Sequence, residues 1–218
     1  MDGSTRSLAA IAAAFTVGLL SSGSASAHPH VFVDARLEVV ADDNGYVKQL
    51  QNVWRFDEFF SSSVILDYDT NMDNKLTGDE LTDVGDTVRD SLGDYDYYTQ
   101  ITDNGEDVKL KKPDVIHADM KDGQLLLFFA AEPAKPLKLS GHLTFGVYDP
   151  TLYTAIDFQS DDDIVTMGDA FNQCKKAILR PDPDEVINEN QDALTAAFFS
   201  DPTDMSKLFA TKLDIRCD

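Results

Sequence analysis

The sequence predicts an α+β protein built mainly on antiparallel β-sheet, as a sandwich with an inserted helix-loop-helix and a C-terminal helix. Three observations support this fold class. Apolar residues alternate with polar ones along most of the chain, turn sequences separate the alternating runs, and a helical period replaces the alternation over about residues 56–98. The 218 residues, 43% of them apolar, suffice for one domain of ordinary size. We therefore expect residues 28–218 to form a single domain.

The elements follow in order along the chain. Residues 30–40 alternate, a turn follows at 42–45, and the alternation continues to residue 54, which predicts a β-hairpin. Two helices that flank an acidic loop are expected over residues 56–98, with Phe59, Phe60, Val64 and Ile65 as apolar positions of the first helix and Leu81, Val84, Val88 and Leu92 of the second.

Strand signals return after residue 98. Turn sequences at 103–105 and 121–123 and apolar runs at 125–130, 137–148 and 153–158 predict further strands. A strand pair is expected to cover Val165 and residues 174–179. A helix over about residues 184–199 and extended structure over residues 208–217 complete the fold.

Residues 1–27 have the pattern of a secretory signal peptide. The apolar run over residues 8–20 is shorter than the roughly 20 residues that a bilayer span needs, and Ala25-Ser26-Ala27 is a small-x-small cleavage site. Cleavage after Ala27 predicts a periplasmic protein that begins at His28 and does not span the membrane. A retained anchor is the alternative.

The charge balance limits the partners of the protein. Asp and Glu number 39 against 18 Lys and Arg, a formal net charge of −21. A nucleic-acid backbone or an anionic membrane surface would repel such a protein. We expect cationic partners, metal ions among them, and no nucleic acid.

Cys174 and Cys217 are the two cysteines of the chain. An even pair in an exported protein usually forms a disulfide. Closing a loop of this length would stabilise the fold by about 4 kcal/mol on the loop-entropy model. Two buried free thiols are the alternative.

Residues 69–80 form an acidic loop whose spacing resembles that of an EF-hand. Oxygen-bearing side chains occupy positions one, three, five, nine and twelve, with a carbonyl at position seven: Asp69, Asn71, Asp73, Thr77 and Glu80, and the carbonyl of Lys75. Calcium needs six to eight such oxygens. Leu76 occupies position eight, where an apolar residue faces the core, and Asn74 replaces the glycine that permits a left-handed backbone at position six.

The loop therefore predicts a weak calcium site that clips the fold rather than switching it. The alternative is an acidic interhelical loop of inherited shape that no longer binds an ion.

The new amino terminus predicts a transition-metal site. The α-amine and Nδ1 of His28 can chelate one ion, and His30 can add a third nitrogen, a set that suits zinc, copper, nickel or cobalt. Pro29 lacks the amide hydrogen that the common amino-terminal copper/nickel motif must lose, which favours an arrangement like a histidine brace. In a strand, His28, His30, Phe32 and Asp34 would share one face, so Asp34 is a candidate ligand or a hydrogen-bond partner of a ligand. Two histidines without specific binding are the alternative.

Other candidate groups have ordinary structural explanations. His117 and His142 each lie alone in a predicted strand, where a histidine is usually a surface or satisfied core residue. Asp57 and Glu58 fall at a helix start, where acidic residues complement the helix dipole. No phosphate loop or nucleophile elbow is present, so we do not expect an enzyme.

Several motifs together resemble one bacterial family. They are His28-Pro29-His30-Val31-Phe32-Val33-Asp34-Ala35, Trp54-Arg55-Phe56-Asp57-Glu58-Phe59-Phe60-Ser61, the acidic loop, Val147-Tyr148-Asp149-Pro150, and Leu208-Phe209-Ala210 before Cys217. The chain is similar in these motifs to an uncharacterised family described as the periplasmic component of an ABC-type transport system. Its members tend to accompany nickel/cobalt efflux-type permeases. The resemblance thus implies a periplasmic metal-handling protein whose partner is an inner-membrane metal permease, and it carries over the His28/His30 motif and loop 69–80.

The leading expectation is a non-enzymatic accessory or binding component of a transition-metal transport system, with a structural calcium loop. One alternative is a redox enzyme that holds copper in a histidine brace. Another is a calcium-stabilised interaction module for a membrane partner, without a transition metal.

Overall fold

The computed structural model describes residues 29–199 and 205–218, and the side chains of residues 196–199 are not considered. The predicted signal peptide and His28 lie outside the described residues. The strands are β1 (Val31–Ala41), β2 (Tyr46–Phe56), β3 (Thr99–Asp103), β4 (Glu106–Asp107), β5 (His117–Lys121), β6 (Gln124–Ala131), β7 (Leu137–Lys138), β8 (Gly141–Val147), β9 (Thr154–Asp157), β10 (Ile164–Met167), β11 (Cys174–Leu179) and β12 (Lys212–Cys217). The helices are α1 (Glu58–Tyr68), α2 (Asp79–Ser91), α3 (Pro183–Glu189), α4 (Gln191–Phe199) and α5 (Ser206–Phe209).

Two mostly antiparallel sheets form the body of the protein, which confirms the predicted α+β class. The first has the strand order β10-β1-β2-β6-β5, with β9 also on β1 and β7 also on β2, and the second has the order β11-β12-β8-β3-β4. Their buried faces belong to one hydrophobic core. Asn52 on β2 donates to the Thr99 hydroxyl on β3 at 3.2 Å, which joins the two sheets inside that core.

The predicted hairpin is confirmed as β1 and β2. Val33 pairs with Phe56 and Val40 with Gln49, and a register shift follows Val40. Alternate residues of β1 are buried, as the alternating sequence predicts. Because both strands are eleven residues long, they place the start of β1 beside the start of α1.

The strands predicted at Val165 and residues 174–179 are present as β10 and β11, but their predicted pairing with each other is wrong. Strand β10 pairs with β1 in the first sheet, whereas β11 pairs with β12 in the second. Gly168 lies between them at φ 118°, and a Cβ there would lie 2.4 Å from the Ala41 carbonyl oxygen. The chain therefore turns away from the first sheet at a position that only glycine fills without strain. The Cys174–Cys217 disulfide is confirmed and fastens β11 to β12.

The helices of the insertion form where the period predicts them. Helix α2 packs on β5 so closely that a Cβ at Gly85 would lie 2.0 Å from the Ile116 carbonyl oxygen. Of the apolar positions that predict α1, Phe59 does not contribute to the core, since it is 83% exposed.

The C-terminal helix is divided into α3 and α4 at Asn190, whose side chain donates to the Val186 carbonyl at 2.9 Å. In the part of the chain that the structure describes, no helix is long and apolar enough to cross a membrane.

Candidate functional site

The loop between α1 and α2 is shaped by its own side chains. The Asp69 carboxylate accepts from the Asp73 amide at 3.1 Å and from the Asn74 amide at 2.7 Å. Asn71 Oδ1 accepts from the same Asp73 amide at 2.8 Å, and Asp73 Oδ1 accepts from the Lys75 amide at 2.9 Å. Short polar side chains that bond the backbone a few residues on curl a chain tightly. The acidic positions thus determine the path of the loop.

Two details of the loop agree with its predicted spacing. Asn74, where the EF-hand pattern has glycine, adopts a left-handed backbone with φ 61°. Leu76 is 4% exposed and belongs to the hydrophobic core, as expected of position eight. The loop is therefore anchored to the core at its centre.

Glu80 extends from the first turn of α2 back to both ends of the loop. Its Oε1 accepts from the amide and the hydroxyl of Thr70, both at 2.9 Å, and its Oε2 accepts from the Thr77 amide at 3.1 Å. These bonds hold the pKa of Glu80 below its ordinary value, and the bond from the Thr77 amide has the largest effect. Sequence reasoning missed Thr70, because its contact depends on how α2 approaches the loop and not on the ligand spacing.

The residues that the structure describes contain no group of three His, Cys, Asp or Glu side chains placed to hold a metal ion. Asp69, Asp73 and Glu80 bond loop donors instead of converging as a ligand set. The donor chemistry nevertheless fits calcium, since every candidate atom is an oxygen. An ionised carboxylate has about four lone-pair positions. Asp69 accepts two bonds from backbone amides and Asp73 accepts one, so both carboxylates have lone pairs left that could bind a cation.

The amino-terminal candidates lie at the start of β1. His30 donates its amide hydrogen to the Tyr153 carbonyl at 2.9 Å, and the two rings are 5.1 Å apart. His30, Phe32 and Asp34 are accessible, whereas Val31 and Val33, which alternate with them, are buried. His30, Phe32 and Asp34 thus follow the predicted alternation.

Asp34 is held in a polar network on the surface of the first sheet. Its Oδ2 accepts from Arg55 at 2.7 Å, and its Oδ1 accepts from Gln159 at 2.6 Å. Both oxygens already have donors. The network therefore favours Asp34 as a hydrogen-bond partner of neighbouring side chains over Asp34 as a metal ligand.

A buried carboxylate, Asp149, shapes the loop that carries Tyr153. Asp149 is 2% exposed and accepts from the Thr151 amide and hydroxyl at 2.7 Å and from the Thr154 amide at 2.8 Å. Burial, and then the charge of Asp149, raise the pKa of Tyr98 above its ordinary value. The sequence indicates Asp149 only as part of a family motif and does not predict this role, although an Asp-Pro pair is a turn signal.

Asp57 joins the start of β1 to the start of α1. Its Oδ1 accepts from the Phe60 amide at 2.9 Å as an N-cap, which confirms its place at a helix start. Its Oδ2 accepts from the Phe32 amide at 2.9 Å, and its own amide donates to the Phe32 carbonyl at 2.9 Å. One side chain therefore fastens the start of β1 to the first turn of α1, the helix that leads into loop 69–80.

The two other histidines of the described chain lie elsewhere. His117 begins the edge strand β5, three strands from β1 in the first sheet. His142 lies on β8 in the second sheet, where its Nε2 is hydrogen-bonded to Asp214, a carboxylate only 8% exposed. Neither histidine joins His30 in a group able to hold a metal ion.

Residues 13–217 match the model of a family described as "Protein of unknown function (DUF1007)". The chain belongs to this family. An "Uncharacterized protein" of Haemophilus influenzae is 27% identical over 207 residues, which cover 93% of this chain and 97% of that protein. Neither description names an activity or an ABC transport system.

Proposed function

We propose that this protein is an exported, periplasmic metal-binding protein that serves as an accessory or binding component of a transition-metal transport system. Loop 69–80 binds calcium and stabilises the fold, while His28 and His30 bind zinc, copper, nickel or cobalt. The observation that carries the calcium part of the proposal is the curled loop, whose oxygen-bearing side chains stand at EF-hand spacing around a left-handed Asn74 and a buried Leu76.

The calcium proposal follows from the chemistry of the loop. Asp69, Asn71, Asp73, Thr77 and Glu80 and the carbonyl of Lys75 supply only hard oxygen donors, three of which belong to carboxylates. A cation would neutralise repulsion between carboxylates in a protein of net charge −21. It would also join the end of α1 to the start of α2. We infer weak binding, in the range of extracellular modules.

The transition-metal proposal rests on the fixed start of β1. The contacts with Tyr153 hold His30 at the start of β1. His28 would lie two residues before it, as the mature amino terminus. A pair of imidazoles and a terminal amine are borderline ligands that suit zinc, copper, nickel and cobalt. The resemblance of the sequence motifs to transport components supports an inner-membrane permease as the proposed partner.

The test uses mature protein with an authentic His28 terminus, stripped of metal and titrated calorimetrically. We expect one calcium ion to bind wild type and to be lost in Asp69→Asn/Glu80→Gln, while the control Asp67→Asn, an exposed change on α1, retains it. We expect one transition-metal ion to bind and to be lost in His28→Ala/His30→Ala but retained in His117→Ala. Absence of stoichiometric uptake in wild type refutes the corresponding half of the proposal.

A second candidate function, a calcium-stabilised interaction module, is favoured by one observation. Helix α1 exposes Phe59 and Leu66, which are 83% and 81% accessible. If calcium binds and no transition metal does, this function replaces the first.

A further inference from the structure

Helix α1 presents two large apolar side chains to solvent. Phe59 and Leu66 are 83% and 81% exposed. They are seven residues apart, so they lie on the same face, two turns or roughly 10 Å from each other. Surface helices usually place polar residues on their outer face, whereas this helix exposes two large apolar side chains among its polar ones.

The helix cannot rotate to bury these side chains, because its opposite face is already occupied. Ser61 and Val64 are 0% and 8% exposed. The Ser61 hydroxyl accepts from the Leu125 amide at 2.9 Å, which fixes α1 against the start of β6. The exposure of Phe59 and Leu66 is therefore a consequence of tertiary packing.

The side chains between Phe59 and Leu66 on this face are small serines whose hydroxyls already donate hydrogen bonds. Ser62 donates its hydroxyl to the Glu58 carbonyl at 2.7 Å, and Ser63 donates to the Phe60 carbonyl at 2.7 Å. A partner that covers these serines therefore leaves no hydroxyl donor unpaired. Two large side chains separated by small ones leave space between them for the side chains of a second helix.

Charge determines which partner fits. Exposed Glu58 and Asp67 adjoin the two apolar residues at either end of the helix, within a protein of net charge −21. A second copy of this chain and an anionic membrane would both be repelled. A helix with an apolar face and lysine or arginine beside it would be attracted, and an amphipathic helix in an apolar groove is a recurring mode of recognition.

We propose that the outer face of α1, with Phe59 and Leu66 as anchors and Glu58 and Asp67 beside them, docks a basic amphipathic helix of a partner protein. This surface lies outside the ligand positions of loop 69–80 and of the His28/His30 motif. The inference therefore goes beyond the proposed function and does not depend on metal binding.

The test measures binding of a labelled synthetic helical peptide, with leucine on one face and lysine on the other, to the full mature protein by fluorescence anisotropy. Wild type should bind, and Phe59→Ser/Leu66→Ser should bind at least about tenfold more weakly, as expected for loss of anchor residues. Glu58→Gln/Asp67→Asn should weaken binding and flatten its salt dependence. The control Ile187→Ser removes a 46% exposed apolar residue from α3 and should leave affinity within about twofold.

Four results would overturn the proposal. They are no binding by wild type, equal binding by wild type and Phe59→Ser/Leu66→Ser, equal binding of a peptide with glutamate in place of lysine, and a wild-type dimer that the double substitution dissociates. Binding to phosphatidylcholine vesicles that depends on Phe59 and Leu66, with no binding to the peptide, would assign the surface to a lipid instead. Because both side chains project into solvent, circular dichroism should show all variants folded.

Discussion

Loop 69–80 and the start of β1 are the two candidate metal regions, and they are held in different ways. The loop is shaped by bonds between residues two to five positions apart, from Asp69, Asn71 and Asp73 to following amides. The start of β1 is held by partners far along the chain, since His30 contacts Tyr153 and Asp34 contacts Gln159. A local site can be recognised from spacing, whereas a site built at a sheet edge depends on which strands meet there.

Asp149→Ala should have the largest effect and should separate the two regions. The change leaves the amides of Thr151 and Thr154 without their buried acceptor, so we expect a loss of about 3 kcal/mol in the free energy of unfolding, measured with urea. Hydrogen exchange of the amides near His30 should accelerate, while those of loop 69–80 should not. As a control, Asp162→Ala changes an exposed side chain and keeps the backbone carbonyl that accepts from Arg36, so it should lose less than about 0.5 kcal/mol.

Asp57→Ala should affect the start of β1 and the start of α1 at once. The carboxylate caps α1 and also accepts from the Phe32 amide, so we expect a loss of about 1 to 2 kcal/mol. Hydrogen exchange should increase both at the start of β1 and in the first turn of α1. Asp57→Asn retains an N-cap side chain and should lose less stability. An increase in exchange confined to the start of β1 or to the first turn of α1 would contradict the connection between them.

Glu80→Gln tests whether the Glu80 carboxylate closes the loop, through the pH dependence of the thermal midpoint. The pKa of Glu80 is lowered in the folded protein, so its stabilising contribution is present above the unfolded value of about 4.3 and is lost as the pH falls through the lower folded value. The difference in thermal midpoint between wild type and Glu80→Gln should therefore be largest near neutral pH and should narrow on acidification. A difference that grows toward low pH would contradict the bonds from Thr77 and Thr70.

Asp34→Asn should have the smallest effect on stability. The pair with Arg55 lies on the surface, with side chains 52% and 38% exposed, and such pairs contribute about 0 to 1 kcal/mol. We expect urea unfolding to change by about 0.5 kcal/mol or less. A transition-metal affinity that also stays unchanged would show that Asp34 is not a ligand, whereas loss of metal uptake would give it that role.

Much of the fold was predictable because its signals are local. The hairpin follows from alternation around residues 42–45, the two helices from their period, and the disulfide from an even pair of cysteines. The curl of loop 69–80 is also encoded locally, since Asp69, Asn71 and Asp73 need only nearby amides. The predictions failed where the partner was distant, as with the presumed pairing of Val165 with residues 174–179.

The sequence by itself determined the class of fold, the hairpin, the interhelical loop and the residue types that bear metal-binding chemistry. Only the tertiary structure decided that β9 and β10 lie parallel to β1, that Asp149 supports the loop beside His30, and that Phe59 faces solvent. Turns and side-chain-to-backbone bonds depend on residues a few positions apart, so their pattern is legible along the chain. Strand pairing and helix orientation depend on which apolar faces bury each other, and that choice is made by the whole core.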